Sequence, residues 1–351
     1  MLLQRTTRMT PWRRLAAVLS AAALGVGLLA GCGSDSSDTT SDDAPAAASG
    51  AFPVTVEHAF GSTKISQAPQ RVVSVGYTDD QAMLALGVKP VGMVDQYPNP
   101  SGKEPDINTQ WPWVKDKWGG TRPEVVMKNG DSGPDYEKIA SLRPDLIVAV
   151  YSEIDKAAYD KLSKIAPTVG RTKGEKEPFS APWQDNAVQI AKALGKEDEG
   201  TELVRGIQDK LGAAKEAHPK FANQTAVALS WYKNSVAPFT SIDVRGRLVT
   251  GIGFGYQTKI DKVADGQFYT VLSPERVDLV DVDRIFVVND EADQQALKKF
   301  KLFTNLDAVK QGKVSYLLDS EGPAVGAAMS QSTLLSLPYA IDQLVKSAGQ
   351  G

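Results

Sequence analysis

The chain has 351 residues, 42% of them hydrophobic, and a formal net charge of −3. This length accommodates two lobes of ordinary domain size, and the slightly acidic balance argues against a nucleic-acid-binding surface. One cysteine and two histidines occur in the whole chain, which argues against disulfides and against a metal site built on clustered imidazoles.

The first 31 residues have the composition of an export signal. Four arginines and no acid precede an uncharged run over residues 15–30, which is shorter than the ~20 residues of a membrane-spanning helix. The run ends in Leu29-Ala30-Gly31-Cys32, which resembles a bacterial lipobox. The resemblance implies that Cys32 carries a lipid and anchors the mature protein at the outer face of the cytoplasmic membrane. The pair Arg13-Arg14 leaves twin-arginine export open beside the general secretory route.

Residues 32–52 are predicted to form the lipidated cysteine and a flexible tether. Residues 33–50 are almost entirely Gly, Ser, Asp, Thr, Ala and Pro, with four aspartates and no base. Such a segment buries too little apolar surface to offset the entropy lost on ordering. The tether would let a folded domain work at a distance from the membrane surface.

From Arg71 onward, short β-rich runs alternate with helical ones, which predicts an α/β fold of mostly parallel sheets flanked by helices. We call residues 53–182 the N lobe and residues 220–348 the C lobe. Residues 183–219 predict two connecting helices. The second, from about Glu197 to Ala217, would be about 32 Å long, which suits a rigid connector. The predicted strands cover residues 71–75, 91–94, 145–150, 226–229, 284–288 and 314–318, and predicted helices include one ending at Gly87 and those over residues 136–142 and 155–162.

An internal repeat relates the two halves. The pattern E-x-[IV]-x-x-[LV]-x-x-D-x-I-x-x-V begins at Glu137 and begins again at Glu275, a constant offset of 138 residues. Two lobes built on one plan is the simplest account. The alternative is that any two helix–strand units share an apolar rhythm, although that rhythm does not require a glutamate at the same place in both.

Four segments resemble the solute-binding proteins of ABC importers for ferric siderophores and cobalamin (class III). These segments are RVVSVGY at 71–77, LALGVKPVG at 84–92, YEKIASLRPDLI at 136–147 and VKQGKV at 309–314. The resemblance implies two Rossmann-like lobes, a long connecting helix, a shallow interlobe cleft for ligand, and a monomer that works with a permease and its ATPase. In relatives, one glutamate on each lobe pairs with permease arginines, and Glu137 and Glu275 stand at those places. For each position, the alternative is a glutamate in the first turn of a helix that only stabilises the helix through its dipole.

Aromatic and arginine side chains are the candidate ligand-binding residues. Ligands of doubly wound sheets lie beyond the carboxyl ends of the strands, and guanidinium groups suit the partly negative oxygens of a ferric chelate. Packing beneath a loop is the alternative for the tryptophans, and an ordinary surface position is the alternative for the arginines. The candidates are Tyr77, Trp111, Trp113, Arg122, Tyr151, Trp231, Tyr232, Arg245, Arg247, Phe254 and Tyr256.

The sequence contains no convincing enzyme motif. The glycines of residues 251–255 lack dinucleotide spacing, and neither a P-loop nor a nucleophile elbow occurs. We therefore predict a binding protein without a cofactor, whose ligand is an Fe(III) siderophore, preferably a ferrioxamine-like hydroxamate. Haem or cobalamin binding, and a sensory or adhesion lipoprotein, are the alternatives.

Overall fold

The computed structural model describes residues 51–97, 107–175 and 177–349. The predicted signal peptide, Cys32 and nearly all of the predicted tether lie outside these ranges. In the described ranges, no helix has both the length and the apolar character needed to cross a membrane.

The N lobe contains a five-stranded parallel sheet and an antiparallel hairpin. Its strands are β1 (Val54–His58), β2 (Gly61–Ile65), β3 (Val72–Ser74), β4 (Gly92–Asp95), β5 (Glu124–Lys128), β6 (Leu146–Val148) and β7 (Thr168–Val169). The sheet has the order β5-β4-β3-β6-β7, and β1 pairs with β2. Its helices are α1 (Asp79–Ala85), α2 (Ile107–Gln110), α3 (Lys115–Trp118), α4 (Tyr136–Ser141) and α5 (Lys156–Leu162).

Two packed helices connect the lobes: α6 (Trp183–Ala193) and α7 (Glu197–Ala217). Helix α7 covers the range predicted from the sequence. Three acidic residues in its first turn stabilise the helix, because their negative charges lie at the positive end of the helix dipole. A Cβ at Gly200 would stand 2.3 Å from the Cβ of Ala191, so the close contact of α7 with α6 requires glycine there.

The C lobe contains a second parallel sheet. Its strands are β8 (Thr225–Tyr232), β9 (Ser235–Pro238), β10 (Gly255–Tyr256), β11 (Arg284–Val288) and β12 (Val314–Leu317). The parallel order is β10-β8-β11-β12, and β9 pairs antiparallel with β8. The helices are α8 (Val244–Gly251), α9 (Thr258–Ala264), α10 (Glu291–Leu297), α11 (Lys301–Thr304), α12 (Asp307–Lys310), α13 (Val325–Gln331) and α14 (Ser336–Ala348), with 3₁₀ helices at Pro219–Asn223 and Pro274–Val280. The prediction of two parallel α/β lobes joined by a long helix is confirmed.

One strand is longer than its apolar run predicted. Strand β8 continues beyond Leu229 because it forms a hairpin with β9. The two turn residues, Lys233 and Asn234, have φ angles of 49° and 58°, a left-handed conformation that asparagine tolerates better than most residues. The hairpin carries Tyr232 to the edge of the C lobe.

The internal repeat corresponds to one structural device used in both lobes. The Asp145 carboxylate accepts the backbone N–H of Gln70 and of Arg71 at 2.8 and 2.9 Å, just before β3. The equivalent carboxylate of Asp283 accepts the N–H of Thr225 at 2.8 Å, at the start of β8. Each aspartate therefore ties the beginning of one strand to the beginning of its neighbour.

The lobes share one continuous apolar core. A single cluster of buried side chains includes Met83 of α1, Ile190 of α6, Ile207 of α7, Leu248 of α8 and Ile341 of α14. Both lobes and both connecting helices contribute to this cluster, so opening the lobes would expose apolar surface. The core therefore opposes a wide hinge motion.

A buried hydrogen-bond network around Gln81 also joins the lobes. The Oε1 atom of Gln81 accepts the indole N–H of Trp113 at 3.0 Å and the hydroxyl of Thr333 at 2.7 Å. Its amide group donates to Gln331 of α13, whose own amide donates to Gln96 at 3.1 Å. Because buried polar groups are costly to leave unpaired, this network holds the lobes in one relative position.

We expect Asp145→Ala to lower the free energy of unfolding by about 1–3 kcal/mol, since two backbone donors lose a charged acceptor. The equivalent change, Asp283→Ala, should have a smaller effect, because only one donor is lost. Urea unfolding followed by tryptophan fluorescence measures both. Glu216→Ala, at an exposed position of α7, is the control and should change stability by less than about 0.5 kcal/mol. An equal response of all three variants would contradict the proposed role of the aspartates.

Candidate functional site

The lobes face each other across an open cleft of about 330 Å³. The N-lobe side consists of residues that follow the carboxyl ends of β3, β4, β5 and β6, where ligands of parallel sheets bind, together with Phe179 from the loop before α6. The C-lobe side comes from the start of α8, from the loop after α9 and from α13. The main lining residues are Tyr77, Tyr97, Tyr151, Glu153 and Phe179 of the N lobe, and Asp243, Arg245, Phe268, Tyr269 and Ser330 of the C lobe.

Aromatic rings form the N-lobe wall of the cleft. The Phe179 ring centroid lies 4.7 Å from that of Tyr151 and 5.8 Å from that of Tyr77. The N–H of Tyr77 donates to the carbonyl of Tyr151 at 2.8 Å, which ties the two strand ends together. Burial raises the pKa of Tyr151 to about 12, so its hydroxyl stays protonated at neutral pH and can donate to a ligand.

A buried carboxylate supports this wall from below. Asp79, at the start of α1, accepts the N–H of Val150 at 2.7 Å and of Tyr151 at 3.0 Å. Burial raises the pKa of Asp79 to about 6, and the two backbone hydrogen bonds limit that rise. The chain after β6 therefore has one fixed path, which orients Tyr151.

Arg245 is the cation on the opposite wall, and its orientation is fixed on two sides. Its Nε and Nη2 atoms each donate to the Asp243 carboxylate at 2.8 Å, and its guanidinium carbon lies 3.6 Å from the ring centroid of Phe239. Burial alone would lower the pKa of Arg245, but the negative charge and hydrogen bonds of Asp243 raise it above its ordinary value. The pair uses two of the five guanidinium N–H bonds, which leaves three for a ligand.

The floor of the cleft contains another contact between the lobes. The hydroxyl of Tyr97, which follows β4, lies 2.8 Å from the hydroxyl of Ser330 on α13. Burial raises the pKa of Tyr97, so this phenol is also neutral. The cleft thus combines neutral phenol groups, one oriented guanidinium and the carboxylates of Asp243 and Glu153.

Comparison with known proteins gives this architecture a family. Residues 72–321 match the periplasmic binding protein family Peripla_BP_2. The chain belongs to that family. It is a solute-binding protein and not an enzyme, as the sequence predicted.

Three relatives illustrate the range of the family. The probable siderophore-binding lipoprotein YfiY of Bacillus subtilis is 26% identical over 325 residues, covering 89% of this chain and 93% of YfiY. The Fe(3+)-citrate-binding protein YfmC of the same organism is 29% identical over 303 residues, covering 86% of this chain and 88% of YfmC. The structure of Streptococcus pneumoniae PiaA in complex with ferrichrome has a TM-score of 0.66 at 27% identity, covering 84% of this chain and 97% of PiaA.

Two predicted ligand contacts of the binding protein lie in its core instead. Trp111 and Trp113 are only 3% and 9% exposed, and their rings stack at 5.0 Å. The indole N–H of Trp113 donates to Gln81 in the interlobe network. The alternative of packing beneath the loop was therefore correct for both tryptophans.

The predicted aromatic wall of the C lobe is also mostly internal. Phe254 is 4% exposed and stacks on Phe221 at 4.2 Å. Trp231 packs against Phe300 at 5.1 Å, and neither Phe254 nor Trp231 lines the cleft. The hydroxyl of Tyr256 donates to the carbonyl of Phe239, the residue on which Arg245 stacks, so Tyr256 supports the site from behind.

The remaining predicted residues have mixed positions. Arg122 is exposed and lines a separate surface depression beside β5, so the structure does not bring it to the cleft. Tyr232 is 44% exposed at the rim, with its ring 5.9 Å from that of Tyr269. Arg247 is half-buried near enough to Tyr151 to lower the pKa of that phenol, and its Nη2 has no hydrogen-bond partner. Tyr77, Tyr151 and Arg245 do line the cleft as predicted.

Several lining residues were not predicted. Tyr97 follows β4 and Glu153 lies two residues after Tyr151, so the strand-end rule could have found both. Asp243 could have been found from its spacing, because an acid two residues before an arginine can cap the helix and hold the guanidinium. Phe179 and Tyr269 lie in loops, where no sequence periodicity indicates position.

The two repeated glutamates lie at corresponding exposed positions. Glu137 is in the first turn of α4 and Glu275 is in the first turn of the 3₁₀ helix that precedes β11. Among the described residues, no lysine or arginine forms an ion pair with either carboxylate. Hydrogen bonds from its own N–H and from Ser273 lower the pKa of Glu275, so this carboxylate is charged at neutral pH.

Asp319 should make the stability of the binding protein depend on pH. Burial raises its pKa to about 6, an effect that the nearby Arg245 opposes, against about 3.9 in an unfolded chain. A raised pKa favours the protonated folded state, so this stabilisation is full below about pH 4 and is lost as the pH rises through about 6.

We therefore expect the wild type to lose about 1–2 kcal/mol of stability relative to Asp319→Asn between pH 4 and pH 7. Asparagine keeps the shape of the side chain but cannot titrate. Urea unfolding of both proteins at matched pH values measures the difference. A constant difference across this range would mean that Asp319 keeps one protonation state throughout.

Proposed function

We propose that this binding protein captures a ferric siderophore outside the cytoplasmic membrane and delivers it to the permease and ATPase of an ABC importer. The observation that carries this proposal is Arg245, a guanidinium held in one orientation at an aromatic cleft between two lobes. Oxygens that surround Fe(III) in a siderophore are partly negative, and a guanidinium donates several hydrogen bonds to such oxygens. The iron arrives inside its chelate, so the protein needs no cofactor.

The names of the relatives support an iron chelate but differ in its chemistry. YfiY is named a probable siderophore-binding protein, YfmC a ferric-citrate-binding protein, and PiaA has been solved with ferrichrome. Citrate binds iron through carboxylates and an alkoxide, whereas ferrichrome binds it through hydroxamates. The charge of the cleft bears on the choice between these two classes.

The balance of charge favours a hydroxamate chelate such as a ferrioxamine. Asp243 lines the cleft beside Arg245, Glu153 lines the opposite wall, and Asp319 is close enough to raise the pKa of Arg245 further. These carboxylates outnumber the guanidinium. A ferric trihydroxamate is neutral around the metal, whereas ferric citrate and ferric catecholates are anionic and would be repelled.

Haem and cobalamin are the alternative ligands within the same fold. Both histidines have other contacts: His58 lies 3.0 Å from the Thr63 hydroxyl, and the His218 ring stacks on Phe221. Tyr77, Tyr97 and Tyr151 do line the cleft, so a haem titration that shifts the Soret band would favour tyrosine ligation. A sensory or adhesion role would leave siderophore uptake intact when the gene is deleted.

We assign the membrane anchor to Cys32 and place the protein at the outer face of the cytoplasmic membrane. The lipobox-like segment before Cys32 and the name of the lipoprotein YfiY support this location. The acidic tether after Cys32 would give the folded lobes freedom to meet the permease.

We further propose that Glu137 and Glu275 dock on the permease. They occupy corresponding positions on two lobes that share one core, so their separation is fixed. Two carboxylates at a constant spacing suit charge-assisted pairs with arginines on a two-fold symmetric partner.

Arg245→Ala should weaken the binding of ferrioxamine B and of ferrichrome by about 10- to 100-fold, since charge-assisted hydrogen bonds are lost. Tryptophan-fluorescence quenching by each ferric chelate measures the affinity. Arg122→Ala is the matched control and should bind like the wild type, because Arg122 lies outside the cleft. Ferric dicitrate is the competing ligand. Tighter binding of ferric dicitrate than of either hydroxamate would reject the hydroxamate assignment.

Reversing both docking charges, in the variant Glu137→Lys/Glu275→Lys, should abolish siderophore import and leave chelate affinity within about twofold of wild type. Uptake of ⁵⁵Fe-labelled chelate by cells and fluorescence titration of the purified protein measure the two effects. Asp209→Lys, an exposed charge reversal on α7, is the control and should import normally. If the double variant instead lost affinity for the chelate and still imported each bound chelate normally, the docking role would be excluded.

A further inference from the structure

Glu153 gives the N-lobe wall of the cleft a negative charge of its own. It is exposed, it lines the cleft, and it follows Tyr151 by two residues. In the described part of the chain, no lysine or arginine forms an ion pair with it. The phenol of Tyr77 lines the same wall, and burial together with the negative charge of Glu153 raises the pKa of this phenol, so it is neutral.

The other charges of the cleft balance each other. Asp243 and Arg245 form a bidentate pair on the C-lobe wall. Among the described residues that line the cleft, Glu153 therefore carries the charge without a counter-charge, and it lies on the wall that faces Arg245. The cleft has a cationic donor on one wall and an anionic acceptor on the other.

Aromatic rings line the same wall of the cleft as this carboxylate. Tyr77 is near enough for Glu153 to raise its pKa, the ring centroid of Phe179 lies 5.8 Å from that of Tyr77, and that of Tyr151 lies 4.7 Å from Phe179. The ring pairs are tilted by 59° and 55°, so they do not stack flat on each other. A carboxylate beside aromatic rings is suited to an ammonium group, which gains from both the negative charge and the ring quadrupoles.

We propose that Glu153, together with Tyr77 and Phe179, binds a protonated amine carried by the ferric chelate, while Arg245 binds the hydroxamate oxygens. This inference rests on the proposed function and narrows it to a chelate with a cationic arm. Such a chelate has a neutral ferric hydroxamate centre and a positive end. Its hydroxamate oxygens would meet Arg245 on one wall, and its ammonium group would meet Glu153 on the other. A chelate without the amine would use only the Arg245 side.

Two chelates that differ only in the amine test this assignment. Ferrioxamine B carries a free ammonium arm, and its N-acetyl derivative has the same iron centre with a neutral amide in its place. The wild type should bind ferrioxamine B about fivefold more tightly, since the carboxylate is solvent-exposed and such contacts are modest. The preference should shrink as salt rises from about 20 mM to about 500 mM, because exposed charges are screened.

Glu153→Gln should remove the preference while leaving the affinity for the N-acetyl derivative within about twofold of wild type. Glu177→Gln, an exposed glutamate outside the cleft, is the matched control and should keep the preference. Fluorescence titration measures all six affinities. Equal binding of the two chelates by the wild type would overturn this inference and leave the siderophore function standing. A preference that survives in Glu153→Gln would overturn the assignment to Glu153. Binding of neither chelate would instead reject the hydroxamate function itself.

Discussion

The site depends on the fixed position of one lobe against the other. Gln81 is 2% exposed and receives hydrogen bonds from Trp113 of its own lobe and from Thr333 of the other. Separating the lobes would leave these buried groups unpaired and would divide an apolar core common to both. The cleft is therefore preformed, and a ligand need not supply free energy to assemble it.

This preformed geometry suits Arg245 to the recognition role that we propose for it. A free arginine on a surface would lose rotamer entropy on binding, but Asp243 and the ring of Phe239 already hold this guanidinium. The pairing also reduces its net charge. A partly neutralised guanidinium suits partial charges on a neutral chelate better than the full charges of an anionic chelate.

The fold could be predicted from the sequence because periodicity carries it. The range of α7, the strand at 284–288 and the repeated aspartates Asp145 and Asp283 all follow from apolar spacing or from self-similarity. The direction in which a side chain points does not follow from apolar spacing or from self-similarity. Trp111 and Trp113 lie in a loop, as inferred, but their rings turn inward. Trp113 donates to Gln81, a buried acceptor from a distant segment, and Trp111 stacks on Trp113. Phe254 is buried because Phe221, after the connecting helix, stacks on it. Such partners are distant in sequence, and a single sequence does not reveal them.

The proposed docking role requires a rigid carrier that presents its two lobes to a permease at a defined spacing. In that role Glu137 and Glu275 would report this spacing at the surface, while Arg245 and Glu153 lie on opposite walls of the cleft between the same lobes. A chelate that contacts both walls adds a bond between the lobes without moving them far. It would reduce the fluctuation of the distance between Glu137 and Glu275 and would change the average distance little. The effect at the docking surface would then be a change in conformational entropy. A protein loaded with a chelate whose cationic arm reaches the second wall would then dock more favourably than one whose chelate is held by Arg245 alone.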